Sequence, residues 1–301
     1  MVFMGNKWDL IANILFMKYN LKYRFSLVYL VLTFGIFSQN ENFKKNLIDS
    51  MITNIDKHKY LEFVMERNER NEKGFKKGKF FAKVCLDPYK IYIKNEIPKK
   101  GSEILYIEGE NNNKALINPN FFPYINVSLS PENSLMFAGG HHCLKDLGFN
   151  FFNDCFKLHL ERYGDKFFDY IEYNGRYQWD NRSCHKLTIN YPDYHKVTYK
   201  TKEEESLYDI SKKKLINIGK LRDYNPEFET FEKLKENQEV TISTIYSKKT
   251  IVFIDAKNFF PIYQMLYDEN GLYEKYSYTS LVINKSFSED EFKSVYKDYD
   301  F

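Results

Sequence analysis

The sequence predicts an α+β protein in which a curved antiparallel sheet lies over helices and is interrupted by an inserted β-α-α-β module. Apolar residues follow a helical period near the N-terminus and in the middle of the chain, and a period of two in most segments between and after these helices. Residues 196–245 hold two strands and two short helices in one small unit. A chain of 301 residues is long enough for one large domain and one small one.

The N-terminal residues have the pattern of a secretory signal peptide. Three basic residues between positions 18 and 24 precede an uncharged apolar run from Phe25 to Phe37, and small or polar residues follow it. The run is short for a membrane span, which needs roughly 20 apolar residues. We expect residues 1–39 to be a signal peptide, with Met17 as a possible true start, and the protein to be exported to the periplasm or cell envelope. An uncleaved N-terminal anchor is the alternative.

The charge balance argues against nucleic acid as a partner. The chain has 44 basic and 41 acidic residues, and residues 1–39 hold four of the basic residues and one of the acidic ones. The expected mature chain therefore carries equal numbers of both. Without a basic excess it has no electrostatic footprint for nucleic acid.

The cysteines and histidines form no recognisable catalytic or metal-binding pattern. The four cysteines are Cys85, Cys143, Cys155 and Cys184. They form no CxxC pair, and we expect mostly buried free thiols, although an exported setting permits disulfides. Adjacent histidines point apart on most backbones, so we interpret His141 and His142, which follow Gly139-Gly140, as surface or capping residues of a turn. Cys184 and His185 are neighbours on a predicted strand and face opposite sides, so they cannot act as a nucleophile and its base. We predict no enzyme activity, no metal and no cofactor.

The frame around the module begins with an amphipathic helix from about Asn42 to Lys57 and continues as strands. Turn residues such as Asp87-Pro88 separate the first strands into an antiparallel meander. A second helix is predicted over Leu144–Tyr163, and the tail from Phe287 to Phe301 is expected to dock as a short turn or helix. The predicted strands are Tyr60–Met65, Phe80–Leu86, Ile91–Ile93, Ile104–Ile107, Phe168–Tyr173, Lys186–Asn190, Thr250–Asp255, Ile262–Tyr267 and Tyr273–Asn284.

The inserted module has its own order of elements. An alternating strand leads to Thr201, and three glutamates then stand where a helix N-terminus favours negative charge. Apolar residues between Leu207 and Leu215 line one face of a first helix. A second short helix ends at Asn225-Pro226 because proline cannot continue it. The module closes with alternating residues around Val240–Ile242.

The module resembles a LysM domain in Leu207-Tyr208-Asp209-Ile210, in Leu221 followed by Asn225-Pro226, and in the residues from Leu234 to Ile242. This resemblance implies binding of N-acetylglucosamine-containing glycans, such as peptidoglycan strands, in a shallow groove between the loop after the first strand and the loop after the second helix. Where the family has Gly-Asp this chain has two glutamates, which removes backbone freedom from the groove. The implied glycan-binding residues are Glu204, Glu205, Ser206, Leu207, Asn225, Pro226, Glu227 and Phe228.

The segments on both sides, residues 43–194 and 247–301, resemble a secreted family of unknown function placed in the LolA-like lipoprotein-carrier superfamily. The resemblance implies a half-barrel over residues 40–195 and 246–301 that holds acyl chains or other hydrophobic ligands on its concave face. It is carried by Tyr89-Lys90-Ile91-Tyr92, Gly101–Gly109, Asn181-Arg182-Ser183-Cys184, Pro261-Ile262 and Gly271–Tyr278. No ligand-contacting arginine of the carriers has a counterpart in this sequence.

The sequence therefore predicts a non-enzymatic envelope protein whose half-barrel binds a lipid or lipoprotein acyl chain and whose module binds peptidoglycan. The strand ending near Tyr191 and the strand starting at Thr250 are expected to be hairpin neighbours, with the module in place of their turn. The alternative is a structural or scaffold protein whose module binds a protein partner. A hydrolase of the wall is the third hypothesis, and it lacks a paired-carboxylate, zinc or Cys–His constellation.

Overall fold

The computed structural model describes residues 41–137 and 140–301. Contacts divide the chain into residues 1–48 and residues 49–301. Residues 41–48 of the first unit are helical. In the second unit residues 49–57 are helical and are called α1 below. The predicted signal peptide and Gly139 of the predicted turn lie outside the described residues. The description below concerns residues 49–301.

Eleven of the described strands form one large, curved antiparallel sheet, and the remaining two pair with each other. The order across the large sheet is β6-β5-β4-β3-β2-β1-β13-β12-β11-β8-β7. The strands are β1 Tyr60–Asn71, β2 Gly74–Leu86, β3 Tyr89–Ile97, β4 Glu103–Ile107, β5 Ala115–Asn118, β6 Val127–Leu129, β7 Ile171–Trp179, β8 Arg182–Asn190, β9 Lys196–Lys200, β10 Glu239–Ser243, β11 Lys249–Asp255, β12 Pro261–Asp268 and β13 Gly271–Ile283. The other α-helices are α2 Ser134–Phe137, α3 Asn150–Tyr163, α4 Leu207–Lys214 and α5 Ile218–Tyr224. The predicted curved antiparallel sheet over helices is therefore confirmed.

Several predicted elements of the frame have different bounds in the structure. The strand predicted over Phe168–Tyr173 begins only at Ile171, because residues 164–170 form a 3₁₀ helix, and it continues to Trp179 as β7. The first strand continues beyond the predicted Met65 into the charged residues 66–79, where β1 and β2 form a hairpin and stay paired as far as Asn71 opposite Gly74. The second helix begins at Asn150 instead of Leu144, because a short 3₁₀ turn at Leu144–Asp146 and Gly148, with φ +114°, precede it. Strands β5 and β6 were not predicted, because the four residues of β5 do not alternate in burial and β6 has only three residues.

The main core lies between the inner face of the sheet and the helices α1 and α3. Asn153 of α3 donates a hydrogen bond to Asp56 of α1 at 2.9 Å, which places the two helices side by side. Beneath them, the ring of Phe149 contacts Phe63 of β1 and Tyr278 of β13 with ring centroids 6.5 and 4.4 Å apart. Aromatic residues of the sheet thus pack directly onto the start of α3.

The βααβ unit, β9-α4-α5-β10, leaves the sheet between two strands that are neighbours. β8 and β11 pair from Asn190 opposite Lys249 to Cys184 opposite Asp255, as the sequence predicts. The unit does not complete its core alone, because Phe137 and Cys143 of the frame belong to the same buried cluster as Leu207, Ile242 and their neighbours. The βααβ unit lies within the compact unit formed by residues 49–301. Its bounds as a separate domain, residues 196–245, stay a prediction.

The C-terminal tail covers part of the outer face of the sheet. It contains a 3₁₀ turn at Glu289–Phe292, and the ring of Tyr299 stacks on Tyr92 of β3 with centroids 3.6 Å apart. Lys83 of β2 binds Glu291 of this tail at 2.6 Å. No helix among residues 41–137 and 140–301 has the length and apolar character needed to cross a membrane.

Candidate functional site

A cavity of about 170 Å³ lies between the inner face of the large sheet and α3. A single water needs roughly 10–15 Å³ of such space, so the cavity has room for on the order of ten waters. Its walls are mostly apolar. The sheet contributes Met65, Phe80, Ile93, Ile104 and Leu266, and the region of α3 contributes Leu147, Phe151, Phe152 and Phe156.

One end of the cavity is polar because the inward-facing residues of β1 change from apolar to charged along the strand. Met65, Arg67 and Glu69 are spaced by two, so all three face inward and line the cavity. Arg67 lies flat across β2, where a Cβ on Gly78 would come within 2.6 Å of its Nε atom. Its side chain is 27% exposed, so this polar end reaches solvent.

Glu69 is the least satisfied polar group of this end. It is 2% exposed, and its Oε1 accepts a hydrogen bond from the hydroxyl of Tyr276 at 3.0 Å. Its Oε2 has no hydrogen-bond partner, and the nearest cation is the guanidinium of Arg67 at 3.6 Å. A buried carboxylate oxygen without a donor is costly, so a donor supplied from the cavity would be stabilised there.

A second buried carboxylate stands opposite Glu69 across β1 and β13. Glu274 is fully buried and accepts hydrogen bonds from His141 Nδ1 at 2.8 Å, Asn217 Nδ2 at 2.5 Å and the Tyr246 hydroxyl at 2.9 Å. Burial alone would raise the pKa of Glu274, but the hydrogen bond and positive charge of His141, with smaller contributions from His142 and Asn217, lower it below its usual value. Because Asn217 lies between α4 and α5, this carboxylate fastens the βααβ unit to the sheet.

The hydrogen bonds around Tyr246 fix which nitrogen of His142 carries the proton. The Tyr246 hydroxyl donates its only proton to Glu274 and accepts from Asn217 at 2.8 Å, so the 3.1 Å contact with His142 requires Nε2–H of His142 as the donor. Burial lowers the pKa of His142, which keeps the ring neutral at pH 7. His142 lines the cavity, and its Nδ1 is then an acceptor, like Glu69 Oε2.

His159, on α3, also lines the cavity. It is 4% exposed, its Nδ1 has no hydrogen-bond partner, and burial lowers its pKa to about 3. The residues that join the βααβ unit to the frame, Tyr191 before it and Tyr246 and Ser247 after it, complete the cavity wall.

The structure corrects the interpretation of His141 and His142 as surface or capping residues of a turn. His141 is 1% exposed, stacks on Tyr273 with centroids 4.4 Å apart and binds Glu274, while His142 lines the cavity. The reason is that both rings find carboxylate and hydroxyl partners far away in the chain, which no local pattern reveals.

The four cysteines are buried free thiols, as predicted. Cys143 and Cys155 line the cavity. Burial raises the pKa of Cys143 to about 12, so its thiol stays protonated at neutral pH and is a poor nucleophile. Within the described residues, no group of three or more His, Cys, Asp or Glu side chains is arranged to hold a metal ion.

The structure brings together the two loops predicted to bind glycan. Backbone hydrogen bonds join them directly, from Leu234 N to Glu205 O at 2.9 Å and from Tyr208 N to Thr230 O at 3.0 Å. Glu204, with φ +60°, and the pair Pro226-Glu227 face solvent, and Phe228 is partly buried.

The other predicted glycan-binding side chains have partners within the unit. Leu207 is fully buried, and Ser206 caps α4 by accepting from Asp209 N. Glu205 accepts from Lys213 at 2.7 Å, and Asn225 ties α5 to β10 through three hydrogen bonds of 2.6–2.8 Å. A glycan in this groove would therefore meet mainly the exposed residues and the loop backbone.

Comparison with known proteins identifies one family. Residues 58–241 match the family described as "Protein of unknown function (DUF1571)", a stretch that includes most of the frame and continues into β10 of the βααβ unit. No curated protein matches the sequence.

Several solved structures are similar at low identity. A putative outer membrane lipoprotein-sorting protein domain from Vibrio parahaemolyticus is 10% identical, with 83% of this chain and 95% of that chain covered and a TM-score of 0.32. Lipoprotein LppX from Mycobacterium tuberculosis is 9% identical, with 81% and 96% covered and a TM-score of 0.37. A LolA superfamily protein from Nitrosomonas europaea is 8% identical, with 83% and 96% covered and a TM-score of 0.29. With TM-scores below 0.5, these similarities do not extend to a ligand.

Proposed function

This chain belongs to the DUF1571 family of proteins of unknown function, and from its own cavity we propose that it is an exported, non-enzymatic cell-envelope protein that binds a lipid or a lipoprotein acyl chain. The apolar cavity between the sheet and α3 supports this proposal most directly. Ligand sites are typically concave and apolar with a few fixed polar groups, and this cavity combines apolar walls with one polar end.

The polar end defines the ligand further. Glu69 and His142 both line the cavity, Glu69 Oε2 has no hydrogen-bond partner, and Nδ1 of His142 is the acceptor nitrogen of that ring, so we expect the ligand to carry a hydrogen-bond donor, such as a hydroxyl or an ammonium, at the end of its apolar chain. A carboxylate would meet the negative charge of Glu69, and the guanidinium of Arg67 already faces that charge at 3.6 Å.

The proposal is tested by titrating the delipidated protein with dodecanol, dodecylamine and dodecanoate against a fluorescent acyl probe. We expect displacement by all three, with dodecanoate weakest. Leu147→Trp fills the cavity and should abolish probe uptake, whereas Leu135→Trp, at a 74% exposed position, should not. A protein that takes up no probe, or that binds it equally well in Leu147→Trp, would refute the cavity function and favour the scaffold hypothesis.

The preference for a donor is tested separately by Glu69→Gln. This change keeps an acceptor for Tyr276 and removes the charge, so dodecylamine should lose its advantage over dodecanoate. Glu66→Gln, on the same strand with its side chain 59% exposed, is the matched control. Equal binding of all three probes by the unmodified protein would refute the headgroup assignment while leaving the cavity function intact.

We also propose peptidoglycan as a ligand of the βααβ unit. The order β9-α4-α5-β10, its two-stranded sheet and the adjacency of the two loops support this proposal. The test is co-sedimentation with insoluble peptidoglycan, using Glu204→Arg/Glu227→Arg at the exposed groove positions and Glu172→Arg, on β7, as control. Failure of the unmodified protein to pellet would refute glycan binding and leave a protein partner as the candidate for this unit.

A further inference from the structure

The loop between β5 and β6 exposes more large apolar side chains than any comparable stretch of the described chain. Residues 121–128 are all exposed. The exposed fractions are 55% for Phe121, 82% for Phe122, 70% for Tyr124, 61% for Ile125 and 42% for Val127. Scattered exposed apolar residues are ordinary, but five within seven positions form a patch of the kind that marks an interaction site.

Hydrogen bonds hold the base of this loop in place. Asn120 donates a side-chain hydrogen bond to the Lys100 carbonyl at 3.0 Å, and its backbone N–H donates to Asn118 Oδ1 at 2.9 Å. Tyr124 N donates to the Phe121 carbonyl at 2.7 Å, which closes a turn at the tip. At the other end, Val127 of β6 pairs with Ile117 of β5, so the loop that carries the exposed apolar side chains is held at both ends.

The charges around the loop fit a lipid surface. Residues 115–131 contain no charged residue, so the tip enters an apolar environment without carrying a charge into it. Lys99 and Lys100 are exposed in the neighbouring turn that Asn120 holds. Aromatic side chains at the tip with lysines behind them suit the headgroup region of an anionic bilayer, where the rings lie at the interface and the ammonium groups meet lipid phosphates.

The shape of the patch favours a bilayer over a protein partner. A stable protein interface buries about 800 Å² on each side over some 20–30 residues, whereas this patch is the tip of a single loop. A bilayer accepts such a tip because it needs no complementary pocket.

The position of the loop relates it to the cavity. Asn95 of β3 lines the cavity and donates a side-chain hydrogen bond to Ser102 Oγ at 3.0 Å, at the end of the turn that carries Lys99 and Lys100. The apolar loop is held by the same turn. We propose that residues 121–127 form a membrane-docking loop, which inserts its aromatic side chains into the surface of an anionic bilayer and sets the Asn95 side of the cavity against it. Docking itself does not depend on what the cavity binds.

The experiment uses the full chain and vesicles of phosphatidylcholine with one quarter phosphatidylglycerol. Every variant keeps the apolar run at residues 25–37, which can itself bind vesicles. The readout is therefore the difference in vesicle binding between variants, measured by flotation. Phe122→Ser/Ile125→Ser should lower the partition into vesicles roughly tenfold or more, since each substitution removes an exposed apolar side chain that would insert into the bilayer. Phe75→Ser/Val295→Ser, which removes side chains 45% and 85% exposed elsewhere, should leave the partition unchanged.

A local probe makes the result independent of other contacts with the bilayer. Phe122→Trp should show a blue shift of tryptophan emission on adding vesicles, and Phe75→Trp should not. Lys99→Gln/Lys100→Gln should weaken partition into the anionic vesicles and leave partition into pure phosphatidylcholine unchanged. Equal flotation of both double serine variants, or an unshifted tryptophan at position 122, would overturn the proposal. Sedimentation velocity showing a dimer that Phe122→Ser/Ile125→Ser dissociates would instead assign the loop to an interface between copies.

Discussion

Glu274 is expected to be one of the most sensitive positions for stability. Its carboxylate is fully buried and accepts three hydrogen bonds, from a histidine, an asparagine and a tyrosine. In Glu274→Ala these donors lose their partner, at about 1–3 kcal/mol for each buried group left unsatisfied. Relief of the repulsion with Glu69, directly opposite, offsets part of this loss.

The net expectation is a loss of about 3–5 kcal/mol in the free energy of unfolding, which is typical when one member of a buried ion pair is removed. For a unit of this size that corresponds to a fall of about 10 °C in the melting temperature. Urea unfolding followed by circular dichroism measures the change. Glu66→Ala, with its side chain 59% exposed on β1, is the control and should stay within about 0.5 kcal/mol.

A double-mutant cycle with Asn217→Ala identifies the cause. Because Asn217 binds the same carboxylate, the double variant should lose less stability than the two single variants together. A loss of less than about 1 kcal/mol in Glu274→Ala, or strict additivity with Asn217→Ala, would show that this carboxylate does not fasten the βααβ unit to the sheet.

Three further predictions concern acid stability, the thiols and the βααβ unit. The pKa of His159 falls from 6.5 to about 3 on folding, so between these pH values the unfolded chain binds more protons than the folded one. The free energy of unfolding should therefore drop as the pH falls from 6.5 towards 3. In His159→Phe, the urea midpoint should depend less on pH over this range. Glu274 adds to the same trend below pH 4.5, because its pKa is lowered on folding and the stability it provides is lost as the carboxylate is protonated. All four cysteines should react slowly with a thiol reagent in the native protein and rapidly in urea, and a fast native reaction would contradict their burial. Asn225→Ala should cost about 1–3 kcal/mol, measured by thermal unfolding, since it removes two hydrogen bonds to Thr241 of β10 and one to Leu221 of α5; an unchanged melting temperature would contradict this role.

Much of the fold could be predicted because its information is local. The period of two located most strands of the large sheet, and the spacing of apolar residues located α1 and the C-terminal part of α3. The order of the βααβ unit followed from the glutamates before α4, from the apolar face between Leu207 and Leu215, and from the Asn225-Pro226 stop. The pairing of β8 with β11 followed from their places on either side of that unit.

The polar end of the cavity could not be predicted in the same way. The first strand was predicted to end at Met65, although the alternation from Met65 through Arg67 to Glu69 was a usable signal that its inward face continues. His141 depends on Glu274, which lies 133 residues away, and no single-sequence pattern joins them. Burial of charged residues is decided by such distant partners, so it appears only once the sheet is assembled.

The two edges of the eleven-stranded sheet have a consequence for self-association. One edge strand, β6, is three residues long, and the other, β7, breaks its register between Tyr173 and Arg176 around Gly175, which has φ +95°. A short strand and a bulged one present few consecutive free backbone groups in a straight line, so neither edge is a template for adding a strand from another copy. The large sheet is thus protected from edge-to-edge growth in the folded protein, and we expect its strands to join fibres only after unfolding.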